Sequence, residues 1–306
     1  MTVLGLDTSN YTTSIAALSE QFAKNVSRLL PVPEGQMGLR QSDALFHHVR
    51  QLPQLSGELF SSMPDDTVRA VGVSTRPRDL EGSYMPCFLA GESFAQVLSQ
   101  ALHCPIYRFS HQQGHIAASA WSSGHMELLD QPHLAWHLSG GTTELLHVVP
   151  DGRSVHADRI GGTTDISAGQ LIDRCGKLLG LPFPSGGALD RLSSASDSSD
   201  CFRVRLKNLD FSFSGVQNKV ESYYQGGASS EQTARYVLLS VIHTVLDATQ
   251  NAMKKYPGLP VVFSGGVASN SMLRESTRDM HPVFALPEYS TDNAMGIAVL
   301  TSRMEG

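Results

Sequence analysis

Val3-Leu4-Gly5-Leu6-Asp7-Thr8-Ser9-Asn10-Tyr11-Thr12-Thr13-Ser14-Ile15-Ala16-Ala17-Leu18 opens the chain, and Leu134-Ala135-Trp136-His137-Leu138-Ser139-Gly140-Gly141-Thr142-Thr143 begins its echo. Each stretch reads as an apolar strand, a short polar turn and a second strand. The first hairpin pairs Val3 to Asp7 with Thr12 to Leu18; the second pairs Leu134 to Leu138 with Thr143 to Val149. Downstream of the first, the pattern predicts a helix from about Ser42 to Phe60, on apolar positions Leu45, Phe46, Val49, Leu52 and Leu55, with Pro53 interrupting it. A strand over Val68 to Ser74, a helix over Gly91 to Leu102, a strand over Pro105 to Phe109 and a helix over His111 to Trp121 follow. Downstream of the second hairpin, Ser154 to Ile160 completes a meander. Helices are expected over Asp165 to Leu179, Glu231 to Lys255, Asn270 to Arg278 and Thr291 to Arg303, with strands over Pro260 to Phe263 and Val283 to Leu286. Pro184 to Asp200 and Gln225 to Ser230 read as surface loops.

Two halves that open alike and then alternate with helices predict an α/β protein of two duplicated lobes, each a mixed β-sheet flanked by helices. The expected lobes are residues 1–122 and 123–306, with the last helix a candidate to pack back towards the first lobe. Of the 306 residues 41% are hydrophobic and 17% charged, the balance of a globular chain rather than a disordered one. No apolar run approaches the ~20 residues of a membrane helix, and no signal-peptide pattern is present, so a cytoplasmic protein is expected. Cys87, Cys104, Cys175 and Cys201 are scattered, which suits free thiols in a reducing compartment. The net charge of −6 argues against unaided gripping of nucleic acid. Arg203, Arg205 and Lys207 alternate along one segment and read as a solvated strand edge.

Three glycine pairs carry the ligand chemistry. Ser139-Gly140-Gly141-Thr142 turns between two strands, and its glycines let successive N–H groups form an anion-binding nest. Gly265-Gly266 follows an apolar strand and leads to a helix at Asn270, an arrangement suited to an anion or a ribose. Pro184-Ser185-Gly186-Gly187 is the third, and Asp173 before it is placed to accept from ribose hydroxyls. Each alone is equally an ordinary turn; together they indicate a nucleotide site between the lobes.

His111 and His115 stand at i and i+4 on one helix face, with Gly114 between them for close approach. Asp292, at the start of the last helix, would complete a set of two histidines and one carboxylate for iron or another first-row metal. With Thr291 it also reads as an ordinary helix start. His137 is a further candidate ligand, or an imidazole filling a half-buried strand position. Gln112 and Gln113 fill the space between the two histidines, so no glutamate stands there as a peptidase base.

Val3 to Ser9, the His111 to His115 helix, Ser139-Gly140-Gly141, Ala168 to Asp173, Phe211 to Gly215, Gly265-Gly266-Val267, Asn270 and Thr291-Asp292-Asn293 together resemble the TsaD family in order and spacing. This family was once labelled glycoprotease or peptidase M22, within the actin-like ASKHA fold. The resemblance implies His111, His115 and Asp292 as metal ligands; a tyrosine ligand of a family variant falls where His137 stands. It implies Ser139, Gly140, Gly141, Asp173, Gly186 and Asn270 as nucleotide contacts, beside Thr142, Gly265 and Gly266 from the turns. The implied reaction moves a threonylcarbamoyl group from its adenylate to a tRNA adenosine, with AMP leaving. The implied cofactors are one divalent transition metal, iron or zinc, and ATP, AMP or an acyl-adenylate. The implied partners are a nucleotide, tRNA presented by a partner protein, and a second subunit, like or unlike, in a dimer.

The first-lobe turn departs from the family. Around Asp7, Ser9 and Thr12 the usual E-T-S-C-D-E-T becomes Asp7-Thr8-Ser9-Asn10-Tyr11-Thr12-Thr13, without the two later acids; the P-G-L-x-G segment becomes Arg76 to Ser83. Three readings therefore stand: a metal-dependent acyl or carbamoyl transferase, a non-catalytic or regulatory nucleotide-binding paralogue, and an ATPase or small-molecule kinase using Asp7. No residue is assigned a catalytic role beyond binding.

Overall fold

A computed structural model describes residues 1–9, 11–31 and 39–306; Asn10 of the first turn lies outside the described residues. The first hairpin forms as β1 (Thr2–Thr8), buried along its whole length, and β2 (Thr12–Leu18), joined by β3 (Ala23–Leu29). β3 escapes a reading by periodicity because it is an edge strand: Val26 alone is buried, so no alternation of apolar side chains marks it. Next comes α1 (Gln41–Ser62), which buries Leu52, Leu55 and Leu59, whereas Phe46 and Val49, expected inside, are exposed. Pro53 does not interrupt it. The N–H it lacks would have bonded the carbonyl of Val49, and both residues lie on the solvated face. β4 (Val68–Arg76), α2 (Phe88–Ala101), β5 (Ile106–Ser110) and α3 (His111–Ser122) complete this run. The sheet order is β3-β2-β1-β4-β5, antiparallel through the first three strands and parallel from β1 to β5. Leu4, Leu6, Ile15, Leu55, Val71 and Val73 are central to its core.

The second half repeats the plan. β6 (His133–Leu138), β7 (Thr143–Asp151) and β8 (Ser154–Thr163) precede α4 (Ala168–Leu178), α5 (Gly186–Ser193), β9 (Asp210–Phe211), α6 (Ser214–Gln225), α7 (Ser230–Lys255), β10 (Val261–Ser264), α8 (Ser271–Ser276) and β11 (Val283–Phe284). The sheet order is β11-β10-β6-β7-β8-β9, so β8-β7-β6-β10-β11 matches β3-β2-β1-β4-β5 strand for strand. Trp136, Phe213 and Phe263 are its largest fully buried side chains. α5 corrects the loop reading of Pro184 to Asp200: Leu189 and Ser193 are buried, and the helix packs on α7. α6 was not foreseen, because a polar stretch with Val216 and Val220 as its buried residues leaves a weak helical signal. Arg203 and Arg205 lie in an irregular segment rather than a strand edge, and Lys207 forms an isolated antiparallel bridge with Asp210; Arg203 pairs with Asp247.

Compact units divide the chain into Met1–Gln131, Val149–Ala157 and Glu288–Gly306 on one side and Pro132–Val148 with Asp158–Pro287 on the other. α9 (Met295–Glu305) belongs to the first unit, where it packs on α3, β1 and β4. It begins four residues later than expected, with Ala294 as its uncapped N-terminus, so Asp292 stands in the loop ahead of it rather than at the helix start. The four cysteines are free. Among the described residues no helix is long and apolar enough to cross a membrane.

Candidate metal centre and nucleotide pocket

Ser110 ends β5 and caps α3. Its hydroxyl accepts from the Gln113 N–H, and the Gln113 side-chain oxygen accepts from the Ser110 N–H at 2.7 Å. This capping box fixes the first turn, so His111 and His115 leave the helix from one face. The Gln113 amide nitrogen donates to the Val155 carbonyl (2.8 Å) and the Ser154 hydroxyl (3.2 Å). The glutamine between the histidines is thus a strut of the scaffold.

Asp292 reaches the histidines because α9 crosses α3 backbone to backbone. A Cβ on Gly296 would stand 1.8 Å from the Gly114 carbonyl oxygen, and one on Gly114 would stand 2.9 Å from Ile297 Cδ1. Gly114 therefore admits the neighbouring helix, not a ligand as its place between the histidines suggested. The Tyr289 ring meets Trp121 edge-on, 5.0 Å between centroids, which ties the loop ahead of Asp292 to the far end of α3.

The result is a compact triangle. His111 Nε2 and His115 Nε2 are 2.9 Å apart, and Asp292 Oδ1 lies 3.6 Å from the first and 3.4 Å from the second. Donors bound at ~2.1 Å to one tetrahedral ion stand roughly 3.4 Å from each other, so two imidazoles and a carboxylate at these separations fit a first-row metal. Among the described residues, these three are the His, Cys, Asp or Glu side chains gathered closely enough to hold one.

Asp7 stands behind the triangle. Its Oδ1 receives the Ser74 hydroxyl and lies 3.0 Å from His111 Nδ1. An Nδ1–H given to this buried carboxylate leaves Nε2 as the ligand atom, the arrangement that fixes ring orientation in metal sites. Burial alone would lower the His111 pKa, but Asp7 and Asp292 raise it to about 10. Burial would raise the Asp292 carboxyl, yet bonds from His111 and His115 hold it well below the usual range. Asp7 is likewise held low against burial, by His111 and Ser74. A metal must displace the His111 proton. Apparent zinc affinity is therefore expected to rise about tenfold per unit between about pH 7 and about pH 9, read by chelator competition. A flat profile would contradict the assignment.

In the second unit a cavity of about 280 Å³ is lined by Gly140, Gly169, Asp173, Gly186, Asp190 and Asn270 among others. A Cβ on Gly169 would meet Gly140 Cα and the Ser139 carbonyl at 2.6 Å, so glycine there lets α4 close on the turn. Cβ atoms on Gly140 or Gly141 would meet nothing within 4 Å, which leaves open backbone for a ligand to approach. Asp173 accepts from the Ser185 N–H at 2.8 Å, and burial raises its carboxyl. Asp190 receives the Asn270 amide (3.0 Å) and the Ser271 N–H (3.0 Å), while Asn270 Oδ1 caps α8.

Of the residues expected at a nucleotide, Gly140, Asp173, Gly186, Gly266 and Asn270 line this cavity; Ser139, Gly141, Thr142 and Gly265 do not. Ser139 instead holds the turn by accepting from the Thr142 N–H. Gly265, at φ +91°, lets its strand approach Leu138, where a Cβ would stand 2.2 Å from the carbonyl oxygen. The helix after Gly265-Gly266 is only six residues long, and its start is capped by its own Asn270. His137 sits on β6 between Glu144 of β7 and Ser264 of β10. In the first-unit turn Ser9 and Thr12 are buried and Tyr11 is exposed. Asp190, Gly169 and Ser74 were missed. Asp190 lies one helical turn after Gly186, a spacing that becomes visible once α5 is seen as a helix.

Residues 33–299 match the family model TsaD, tRNA N6-adenosine threonylcarbamoyltransferase. A tRNA N6-adenosine threonylcarbamoyltransferase of Carboxydothermus hydrogenoformans is 28% identical, over 97% of this chain and 90% of its own length. Among solved structures, full-length HypF in a phosphate- and nucleotide-bound form gives a TM-score of 0.61 at 15% identity, over 100% of this chain and 47% of HypF. The activator of 2-hydroxyisocaproyl-CoA dehydratase from Clostridium difficile, with ADPNP bound, gives 0.55 at 15% identity, over 100% and 96%. These structural likenesses show the fold, the actin-like ASKHA architecture of two related halves. The family follows from the sequence match across most of the chain: this protein belongs to the TsaD family of tRNA N6-adenosine threonylcarbamoyltransferases.

Proposed function

We propose that this protein is a metal- and nucleotide-dependent transferase that moves a threonylcarbamoyl or related carbamoyl group from an adenylate to a tRNA adenosine. The observation that carries this reading is the triangle of His111, His115 and Asp292 with Asp7 behind it. These residues would hold one divalent transition metal, iron or zinc. The bound ion would supply Lewis-acid polarisation of a carbonyl oxygen. Asp7 keeps the His111 tautomer that leaves Nε2 facing the ligand position. Gly140, Asp173 and Gly186 would receive the phosphate and ribose of ATP, AMP or the acyl-adenylate. In the transfer the adenosine exocyclic nitrogen forms the new bond to the carbamoyl carbon and gives up one proton to solvent, the bond from that carbon to the phosphate oxygen breaks with its electron pair going to the phosphate, and AMP leaves. With a net charge of −6, tRNA would be presented by a partner protein, within a homo- or hetero-dimer, in the cytoplasm.

A second reading, a non-catalytic or regulatory nucleotide-binding paralogue, is favoured by the first-unit turn, which offers exposed Tyr11 and buried Thr12 and no carboxylate after Asp7. The kinase or ATPase reading weakens because Asp7 is engaged by His111 and Ser74.

One experiment separates the readings. Tag-free protein and His111→Ala are assayed for transition-metal content, then for transfer from threonylcarbamoyl-adenylate to tRNA with AMP release. Near one metal per chain and transfer, both lost in the variant, is the expected result. Metal without transfer favours the regulatory paralogue, and no metal in either protein removes the metal reading.

A further inference from the structure

Three buried polar atoms of the first unit meet no hydrogen-bond partner among the described residues: Asp7 Oδ2, Ser9 Oγ and His48 Nε2. Asp7 and His48 are 0% exposed and Ser9 is 4% exposed. They share one neighbourhood, since Ser9 follows Asp7 by two residues where β1 ends, and the Asp7 charge and Ser9 backbone both act on the His48 ring. Buried polar atoms are paired in native proteins, with side chains, backbone or ordered water, so each of these calls for a partner.

The surrounding bonds fix what each atom offers. Gln51 Nε2 donates to the Leu29 carbonyl (3.3 Å), which leaves Gln51 Oε1 to accept the Thr13 hydroxyl (2.7 Å). Having given its only hydrogen to Gln51, the Thr13 oxygen accepts from His48 Nδ1 at 2.7 Å. His48 therefore carries its proton on Nδ1 and presents a bare lone pair at Nε2. Burial pushes its pKa down to about 4, which keeps the ring neutral. Asp7 Oδ2 is an acceptor, and the Ser9 hydroxyl has a hydrogen to give. Two acceptors and one donor are complemented by a molecule with two hydrogens and a lone pair.

We propose that Asp7 Oδ2, Ser9 Oγ and His48 Nε2 form the site of one structural water, through which α1 braces the carboxylate that orients His111. The chain of bonds then runs from Leu29 through Gln51, Thr13, His48 and the water to Asp7 and His111. His48 is thereby a positioning residue for the metal centre, an assignment that rests on the metal reading above. Water occupancy of the site itself stands independently of that reading.

The test uses full-length, tag-free protein with zinc as the probe, in the wild type, His48→Phe and His48→Gln. The glutamine variant keeps an acceptor where Nε2 stands; phenylalanine removes it. Zinc dissociation constants come from chelator competition, melting of the metal-free proteins is recorded in parallel, and a wild-type crystal structure tests for the water. Expected are density within hydrogen-bond distance of all three atoms, zinc binding weakened about tenfold by His48→Phe, and near-wild-type binding in His48→Gln. Absence of that density overturns the proposal. So does a His48→Phe variant that melts earlier but binds zinc as the wild type does, or equal weakening in both variants. Should the phenylalanine variant not fold, the density and the glutamine variant still decide. Zinc failing to bind the wild type removes the metal reading instead, and the density alone then tests the water.

Discussion

Gly296→Ala is expected to weaken zinc binding at the proposed metal centre on the order of 100-fold and to cost the fold about 3 kcal/mol, at the upper end of overpacking penalties. The added Cβ would stand 1.8 Å from the Gly114 carbonyl oxygen, 2.6 Å from its carbon and 2.8 Å from the Ala118 nitrogen. All three are backbone atoms, so no side chain can turn aside to relieve the clash. α9 has no slack on its other side. Cβ atoms on Gly5 and Gly72 would lie 2.5 Å from the Ala294 oxygen and 1.8 Å from Thr301 Oγ1, so the sheet already touches the helix. The helix must move away from α3, and Asp292, three residues ahead of it, moves too. A displacement of ~1 Å at a preorganised site is enough to weaken function on the order of 100-fold. Zinc affinity and the urea midpoint measure the two consequences. Gly57→Ala is the control, because its Cβ would meet nothing within 4 Å and it lies within α1. Wild-type zinc binding in Gly296→Ala would show that the crossing does not set the ligand separation.

The second large effect is expected from Asp7→Asn. Removing one partner of a buried charged pair costs about 3–5 kcal/mol, and losing the carboxylate behind a ligating histidine costs about 10–100-fold in metal affinity. The pH dependence gives a sharper test. His111 is raised to about 10 in the folded protein, so its contribution to the metal-free fold is complete below the ordinary histidine pKa and is lost as pH rises through about 10. Asparagine carries no charge to sustain that shift. The stability gap between wild type and variant should therefore narrow steadily on going from about pH 6 to about pH 10. Urea midpoints of metal-free protein at a series of pH values measure it. A gap that stays constant would mean that Asp7 does not hold the His111 proton.

Much of this molecule is legible in its sequence because the decisive elements are strongly periodic. β1 and β6 are apolar runs closed by polar turns, and α7 carries its own capping box at Ser229 and Gln232. The spacing of His111 and His115 is set by one helical turn, so their shared face could be read directly. Asp292 came from order along the chain, and its three-dimensional reach depends on the Gly114 and Gly296 contact, which no local pattern announces. β3 and α6 were hidden because each buries few apolar side chains. Asp190 was hidden because a glycine pair at the start of α5 looks like a turn. His48 carries no signal in the sequence, since Thr13 and Gln51, which fix its tautomer, are distant in sequence or not ionisable.

The two-ended build of the first unit bears on how the protein is made. β1 and β4 leave the ribosome before the second unit, while α9, which covers Gly5 and Gly72, emerges only after that unit has been synthesised. At a synthesis rate of ~5–20 residues per second, the roughly 220 residues between β4 and α9 take on the order of 10–40 seconds. Throughout that interval the face of β1 and β4 that will receive Ile297 and Thr301 lacks its α9 cover. A nascent first unit therefore offers chaperones an apolar seat, and His111 and His115 are joined by Asp292 only once the loop ahead of α9 has emerged.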